Sequence, residues 1–251
     1  MGRGFLVNFL IVGTQKGGTT ALAHFLASHP QICMAPCKEA HFFDYDHYCS
    51  QDYQKFFPNY TDQVAIGEAT PIYMYLPWIA PRLYVYNPDL KLIVLLRSPI
   101  ARAFSQYQME RSRGWENLGF RRALRLEAGR LAWANLIDPW AKQERSAQRT
   151  HSYSDRGFYS KQLKNLLQYF PRQNLLVLRS EELKTNHAEV LAEVYRFLEV
   201  EQITPPPPAN LLVGQYQGAI APEDQAWLRQ KYANELVDLE QLLGWNLDSW
   251  R

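Results

Sequence analysis

The sequence predicts an α/β fold of three layers, a central parallel sheet flanked by helices. Three observations carry that expectation. Short apolar runs alternate with stretches of helical periodicity along most of the chain, the order that builds parallel strands joined by crossover helices. The apolar runs lack the in–out alternation of a half-solvated strand, as strands covered on both faces do. A glycine-bearing turn joins the first run directly to the first helix, in FLIVGTQKGGTTALAHFL over residues 9–26.

The elements follow in order. LVNFLIVG is near-continuously apolar and reads as the first strand. TALAHFLASHP sets Ala21, Leu22, Phe25 and Leu26 at helical spacing and is stopped by Pro30. QVAIGEATP is a second strand candidate, and LKLIVLLRSP a stronger one, with Arg97 at its carboxyl end. Ser98 is placed to cap the next helix, and Pro99 suits its first position. YSKQLKNLLQYFP reads as an amphipathic helix, NLLVLRS as a buried strand and HAEVLAEVYRFL as a helix. PPPP at 205–208 forbids regular structure and marks a connector. The chain closes on a helix near EDQAWLRQKYANELVDLEQLL. Residues 113–150, with Trp115, Trp133 and Trp140 among many arginines, fit the alternation least.

At 251 residues the chain suffices for one large domain, and residues 1–251 are expected to form one. The 27 basic and 25 acidic residues nearly cancel, which argues against a dedicated nucleic-acid binder. The excess is local: residues 110–150 hold eight Arg and one Lys against five acids, a net +4. Cys33, Cys37 and Cys49 form neither a paired framework nor a repeated metal-ligand spacing, so reduced thiols and no metal are expected. The first apolar run, Phe5 to Val12, is too short to span a membrane and lacks a leader's cleavage site. A cytoplasmic protein without a membrane span is expected.

The turn GTQKGGTT reads as a phosphate loop, but one unsuited to a γ-phosphate. Gly13 and Gly18 have Walker spacing, yet Thr19 stands where the Walker lysine belongs and Lys16 lies three residues earlier. The strand LIVLLR ends in arginine, where an NTPase usually keeps an acid for Mg²⁺. A fixed arginine grips a phosphate directly. The ligand read from these residues is a nucleotide with a 5′-phosphate group in the loop and a further phosphate elsewhere.

Both features resemble the P-loop sulfotransferases that use 3′-phosphoadenosine 5′-phosphosulfate (PAPS), most closely the branch of heparan sulfate N- and 3-O-sulfotransferases. GTQKGGTT is similar to their 5′-phosphosulfate loop, LRSPIARAFSQY to their 3′-phosphate motif and KEAHFFD at 38–44 to their acidic-aromatic motif. RGFYSKQLKNLLQYFP, NLLVLRSEEL and the helix into RFL follow the second half of that family in order. The resemblance implies a P-loop-type fold and in-line transfer of the sulfuryl group to a hydroxyl or amine without a metal, on a sugar or glycan. Lys16, Gly17, Gly18, Thr19 and Thr20 would hold the 5′ end of PAPS, Lys16 catalytically at the leaving oxygen. Arg97 and Ser105 would hold the 3′-phosphate, and Gly218 would lie in the late nucleotide loop. Glu39 is the expected base, with His41 as competing base or positioning group; flanking His41, Phe42 and Phe43 would partly desolvate it. On their own residues, 113–150 read either as a helical insertion near the acceptor site or as a solvated amphipathic helix.

Two departures from the family stand out. GEATP has Ala69 where relatives often carry lysine, and QGAIAP keeps Gly218 but has Gln217 and Ala219 where relatives have cations. Arg102 or Arg156 would be the compensating cations. Phe42, Phe43, Tyr73, Trp78, Trp115 and Trp133 are candidates for stacking on sugar rings, or for the core. The basic 110–150 segment suits an acidic glycan or an acyl carrier protein presenting a polyketide hydroxyl. A non-catalytic nucleotide-binding relative and a P-loop kinase are the remaining alternatives.

Overall fold

The computed structural model describes residues 4–45, 50–208 and 218–251. Its centre is a sheet of five parallel strands in the order β2-β3-β1-β4-β5. These are β1 Phe9–Gly13, β2 Ile32–Met34, β3 Ala65–Ala69, β4 Lys91–Leu96 and β5 Leu175–Arg179. The helices are α1 Thr19–Leu26, α2 Ser50–Tyr53, α3 Ile79–Tyr86, α4 Pro99–Ser112 and α5 Phe120–Ile137. They continue with α6 Ala147–Thr150, α7 Tyr159–Leu167, α8 Glu182–Thr185, α9 His187–Leu198 and α10 Pro222–Leu243. The expected strands and helices therefore form, although the first strand pairs only from Phe9. Strand β2 was not anticipated: its three residues are too few to show a period, and it forms by pairing with β3 at Ile32↔Ala65 and Met34↔Gly67.

The chain divides into two compact units, residues 1–96 with 165–212 and residues 97–164 with 213–251. The first holds the whole sheet. Phe9, Ile11, Ile93 and Leu95 project from one face onto Leu22, Phe25 and Leu26 of α1 and Val190, Leu191, Val194 and Leu198 of α9, all buried. Leu10, Val12, Leu92 and Val94 take the opposite face and are equally buried. Burial on both faces is why these strands read as unbroken apolar runs.

The second unit is helical and is pinned by buried polar groups. Glu127 of α5 accepts from Ser154 N and Oγ and from Asp155 N, and Glu235 of α10 from Ser160 N and Oγ. Arg102 is fully buried and donates to Gln106 and to the Tyr153 carbonyl. Arg156, also buried, donates to Ser152 Oγ and to the Gln148 and Arg149 carbonyls. The expectation that either arginine compensates for lost nucleotide-binding cations is thus corrected: both side chains are buried and donate within this unit, Arg102 through its two Nη atoms while its Nε has no partner among the described residues. Ser98 is at the N-cap position of α4 but makes no side-chain cap, and Pro99 starts the helix as expected. No helix among the described residues is long and apolar enough to cross a membrane.

Candidate active site

Strand order places the phosphate loop. From β1 the chain crosses to β2 on one side of the sheet, while β4 lies on the other side beside β5. The carboxyl ends of β1 and β4 therefore flank a topological switch point, where open parallel sheets bind ligands. Here Thr14 N donates to the Leu95 carbonyl (2.9 Å) and Gly17 N to the Thr14 carbonyl (2.8 Å). A Cβ on Gly17 would lie 2.5 Å from Leu95 O, so only glycine lets the loop close on β4. Lys16 and Gly18 take left-handed φ of 68° and 97°. Gly18 is the N-cap of α1 and provides no side-chain cap. The first N–H groups of a helix have no intrahelical acceptor, and with the helix dipole they favour an anion. Thr19 is buried and Thr20 half-exposed at this helix start.

The KEAHFFD segment lies against the same loop. Lys38 Nζ donates to Thr20 Oγ1 and sits 3.7 Å from Glu39 Oε1. His41 lies between two carboxylates, with Nδ1 2.8 Å from Asp44 Oδ2 and Nε2 3.3 Å from Glu39 Oε2. Its backbone, at φ 51°, donates to Thr70 Oγ1 at 3.3 Å. Burial alone would make the imidazole less basic, but hydrogen bonds and charge from Asp44 and Glu39 outweigh it and raise the pKa to about 9. His41 is accordingly an imidazolium at neutral pH. The Glu39 side chain keeps a quarter of its surface exposed. Phe42 and Phe43 turn into the core, Phe42 stacking on Tyr53 at 4.1 Å. Tyr73 is buried with them, its hydroxyl accepting from Phe42 N.

Two residues of this cluster were not singled out from the sequence. Asp44 is fully buried and holds the far side of His41. Glu68, on β3, is also fully buried and accepts from Tyr53 OH (3.1 Å) and Thr70 Oγ1 (2.7 Å). Burial pushes its pKa up to about 7, against the lowering effect of its hydroxyl donors and of His41. A signal was present: a carboxylate inside an apolar strand has no solvated face to occupy.

Ala69 ends β3 and lines a cavity of about 560 Å³ that also touches Thr20 and Lys38. Among the described residues that line it, Lys38 is the single Lys or Arg and none is a carboxylate. Cys33 and Cys37 are free thiols; Cys49 lies outside the described residues.

The other predicted contacts belong to the second unit. Arg97 is half-buried, its carbonyl accepting from Tyr159 OH at 2.9 Å, and Ser105 is buried on α4. Gly218 is exposed with φ 79° and open space about it, while Gln217 lies outside the described residues.

Comparison with known proteins shows the family. The sulfotransferase domain family matches residues 7–206. The membrane-associated sulfotransferase kil1 of Dictyostelium discoideum is 45% identical over 107 residues, 41% of this chain and 22% of that protein. Heparan sulfate glucosamine 3-O-sulfotransferase 6 of Mus musculus is 34% identical over 201 residues, 77% of this chain and 52% of that protein. The chain thus spans about half the length of the 3-O-sulfotransferases it matches, and less of kil1. A crystal structure of a sulfotransferase from Alicyclobacillus acidocaldarius superposes with a TM-score of 0.82 at 28% identity, covering 99% of this chain and all of the other. A phosphate loop with its lysine inside the turn, an acidic cluster beside it and a domain match over most of the length lead to one conclusion: the chain belongs to the PAPS-dependent sulfotransferase family.

Proposed function

We propose that the chain transfers the sulfuryl group of PAPS to a hydroxyl or amine, with Glu39 as general base. One observation carries the reading: Lys38 contacts both Thr20 of the phosphate loop and Glu39, tying the donor loop to the carboxylate. The uncapped, glycine-initiated start of α1 and Lys16 suit the 5′-phosphosulfate of PAPS, and Arg97 and Ser105 are assigned its 3′-phosphate from the family motif. In the transfer, an acceptor oxygen or nitrogen forms a bond to sulfur as the bond from sulfur to the 5′-phosphate oxygen breaks. The acceptor's proton passes to Glu39. Negative charge grows on the departing phosphate, where Lys16 opposes it more strongly in the transition state than in the ground state. His41, held as a cation, positions Glu39 and is a poor proton acceptor below about pH 9. These cations do the work that a metal does in phosphoryl transfer, so the step is written without one.

The similar heparan sulfate glucosamine 3-O-sulfotransferases suggest a sugar or glycan acceptor. Saccharides are the first acceptors to screen, with carrier-tethered alcohols next. The founding test is calorimetric titration with 3′-phosphoadenosine 5′-phosphate, adenosine 5′-phosphate and ATP, with and without Mg²⁺. Metal-independent binding that needs the 3′-phosphate is expected. Arg97→Ala should weaken it about 10- to 100-fold, the worth of a charge-assisted phosphate contact. A preference for ATP with Mg²⁺, or equal binding of both adenylates, would refute the assignment.

A further inference from the structure

The second unit carries an apolar ridge to which the proposed transfer assigns no role. Along α5 and the turn after it, Leu126, Trp133, Leu136, Ile137 and Trp140 are all exposed, Trp133 by 64% and Leu136 by 75%. At about 100° per residue, Leu126, Trp133 and Ile137 fall within about 40° of one another on the helix. A surface helix normally turns charge outward and apolar residues inward. Here the charges are withdrawn instead. Glu127 is buried under Ser154 and Asp155, and buried Asp138 accepts from the amides of Lys142 and Gln143. Arg130 is paired with buried Glu116. From 126 to 140, every exposed residue is uncharged.

Both ends of this ridge are cationic. Arg122 and Arg125 are exposed before it, Lys142 and Arg145 after it, with Glu144 the one exposed acid between residues 121 and 145; Arg121 is paired with Glu223 and Asp224 and is not counted with them. The geometry points to an anionic membrane surface as the occupant of this face, with α5 lying in the plane of the headgroups. Trp and Leu side chains of a convex ridge sink among the upper acyl segments, and flanking arginines meet lipid phosphates. A second copy of the chain fits less well: because both flanks are positive, parallel and antiparallel pairing of two ridges each set like charges together.

The test is flotation of the full chain with vesicles of phosphatidylcholine alone and with added phosphatidylglycerol. Binding is expected only to the anionic vesicles and should fall with salt. Trp133→Ser with Leu136→Ser should reduce the bound fraction at least about tenfold through lost apolar burial. Arg122→Gln with Arg125→Gln should reduce it by about fivefold per charge. All four positions are exposed, so thermal melting and 3′-phosphoadenosine 5′-phosphate binding should match the parent protein. Absence from the anionic vesicles, or binding that ignores these substitutions, would overturn the inference. So would self-association, or capture of a purified acidic carrier protein, that Trp133→Ser abolishes while vesicle binding is missing.

Discussion

On the proposed assignment, His41 decides how proton transfer is divided within the cluster. Both ring nitrogens face carboxylates, so both carry protons, and an imidazolium between Asp44 and Glu39 orients Glu39 without competing for the acceptor's proton. Glu39→Gln is therefore expected to lower kcat by about 10²–10⁴-fold, the usual span for losing a general base, with nucleotide affinity kept. His41→Gln should cost about tenfold, as a positioning loss, and should change the pH profile. In the parent enzyme His41 loses its proton as pH rises through about 9, so activity should decline there. The variant should lack that alkaline limb. Should His41→Gln be the silent enzyme and Glu39→Gln the active one in a steady-state pH series, the roles are reversed. The quoted motif made Glu39 and His41 visible in the sequence. Asp44 stood in the same seven residues, but its part depends on a positive φ at His41 and full burial three residues on, which no spacing encodes.

At the scale of elements, strands and long helices were legible because burial on both faces leaves an apolar run and a covered helix leaves a 3.6-residue stripe. What escaped was set by partners. Strand β2 exists because β3 offers it a paired edge, and α5 turns Trp133 outward, a residue that the sequence offered equally for stacking on a sugar or for the core. The loop between β1 and α1 was legible for a different reason: its glycines answer steric needs that the sequence displays. Gly17 approaches the Leu95 carbonyl so closely that a methyl group would meet it at 2.5 Å, and Thr14 O at 2.9 Å. Both are backbone atoms and cannot rotate aside. Gly17→Ala should thus push the turn off β4, lowering thermal stability by about 1–3 kcal/mol and weakening 3′-phosphoadenosine 5′-phosphate in the same protein. Gly18→Ala meets nothing closer than 3.5 Å but forces a side chain into left-handed φ, at a cost of about 1 kcal/mol. Calorimetric melting and titration of the two variants should rank them in that order. Equal effects would mean that turn conformation, rather than contact with β4, limits the loop.

The whole molecule reports on the buried Glu68 carboxylate through the pH dependence of stability. Glu68 ionises near pH 4.5 when unfolded and near 7 when folded, because the interior of the sheet disfavours its charge more than Thr70, Tyr53 and Tyr73 favour it. A raised acid pKa means that the folded chain binds more protons between those values, so stability falls as pH climbs from about 4.5 to about 7 and is level beyond. His41 adds a second decline: its raised pKa gives stabilisation that is complete below about 6.5 and lost as pH rises through about 9. The two windows meet near neutrality, and one substitution separates them. Glu68→Gln keeps an acceptor for Tyr53 or Thr70 but carries no charge at any pH. The variant should melt with the parent at about pH 4 and outlast it increasingly above, by up to about 3 kcal/mol at pH 8, or several degrees for a chain of this length. Its remaining decline through about pH 9 should retain the contribution of His41, beside those of the other buried groups whose pKa is raised, Glu127 and Glu235 among them. Parallel melting curves across the range would show instead that Glu68 ionises alike in both states, and that its burial costs the fold nothing.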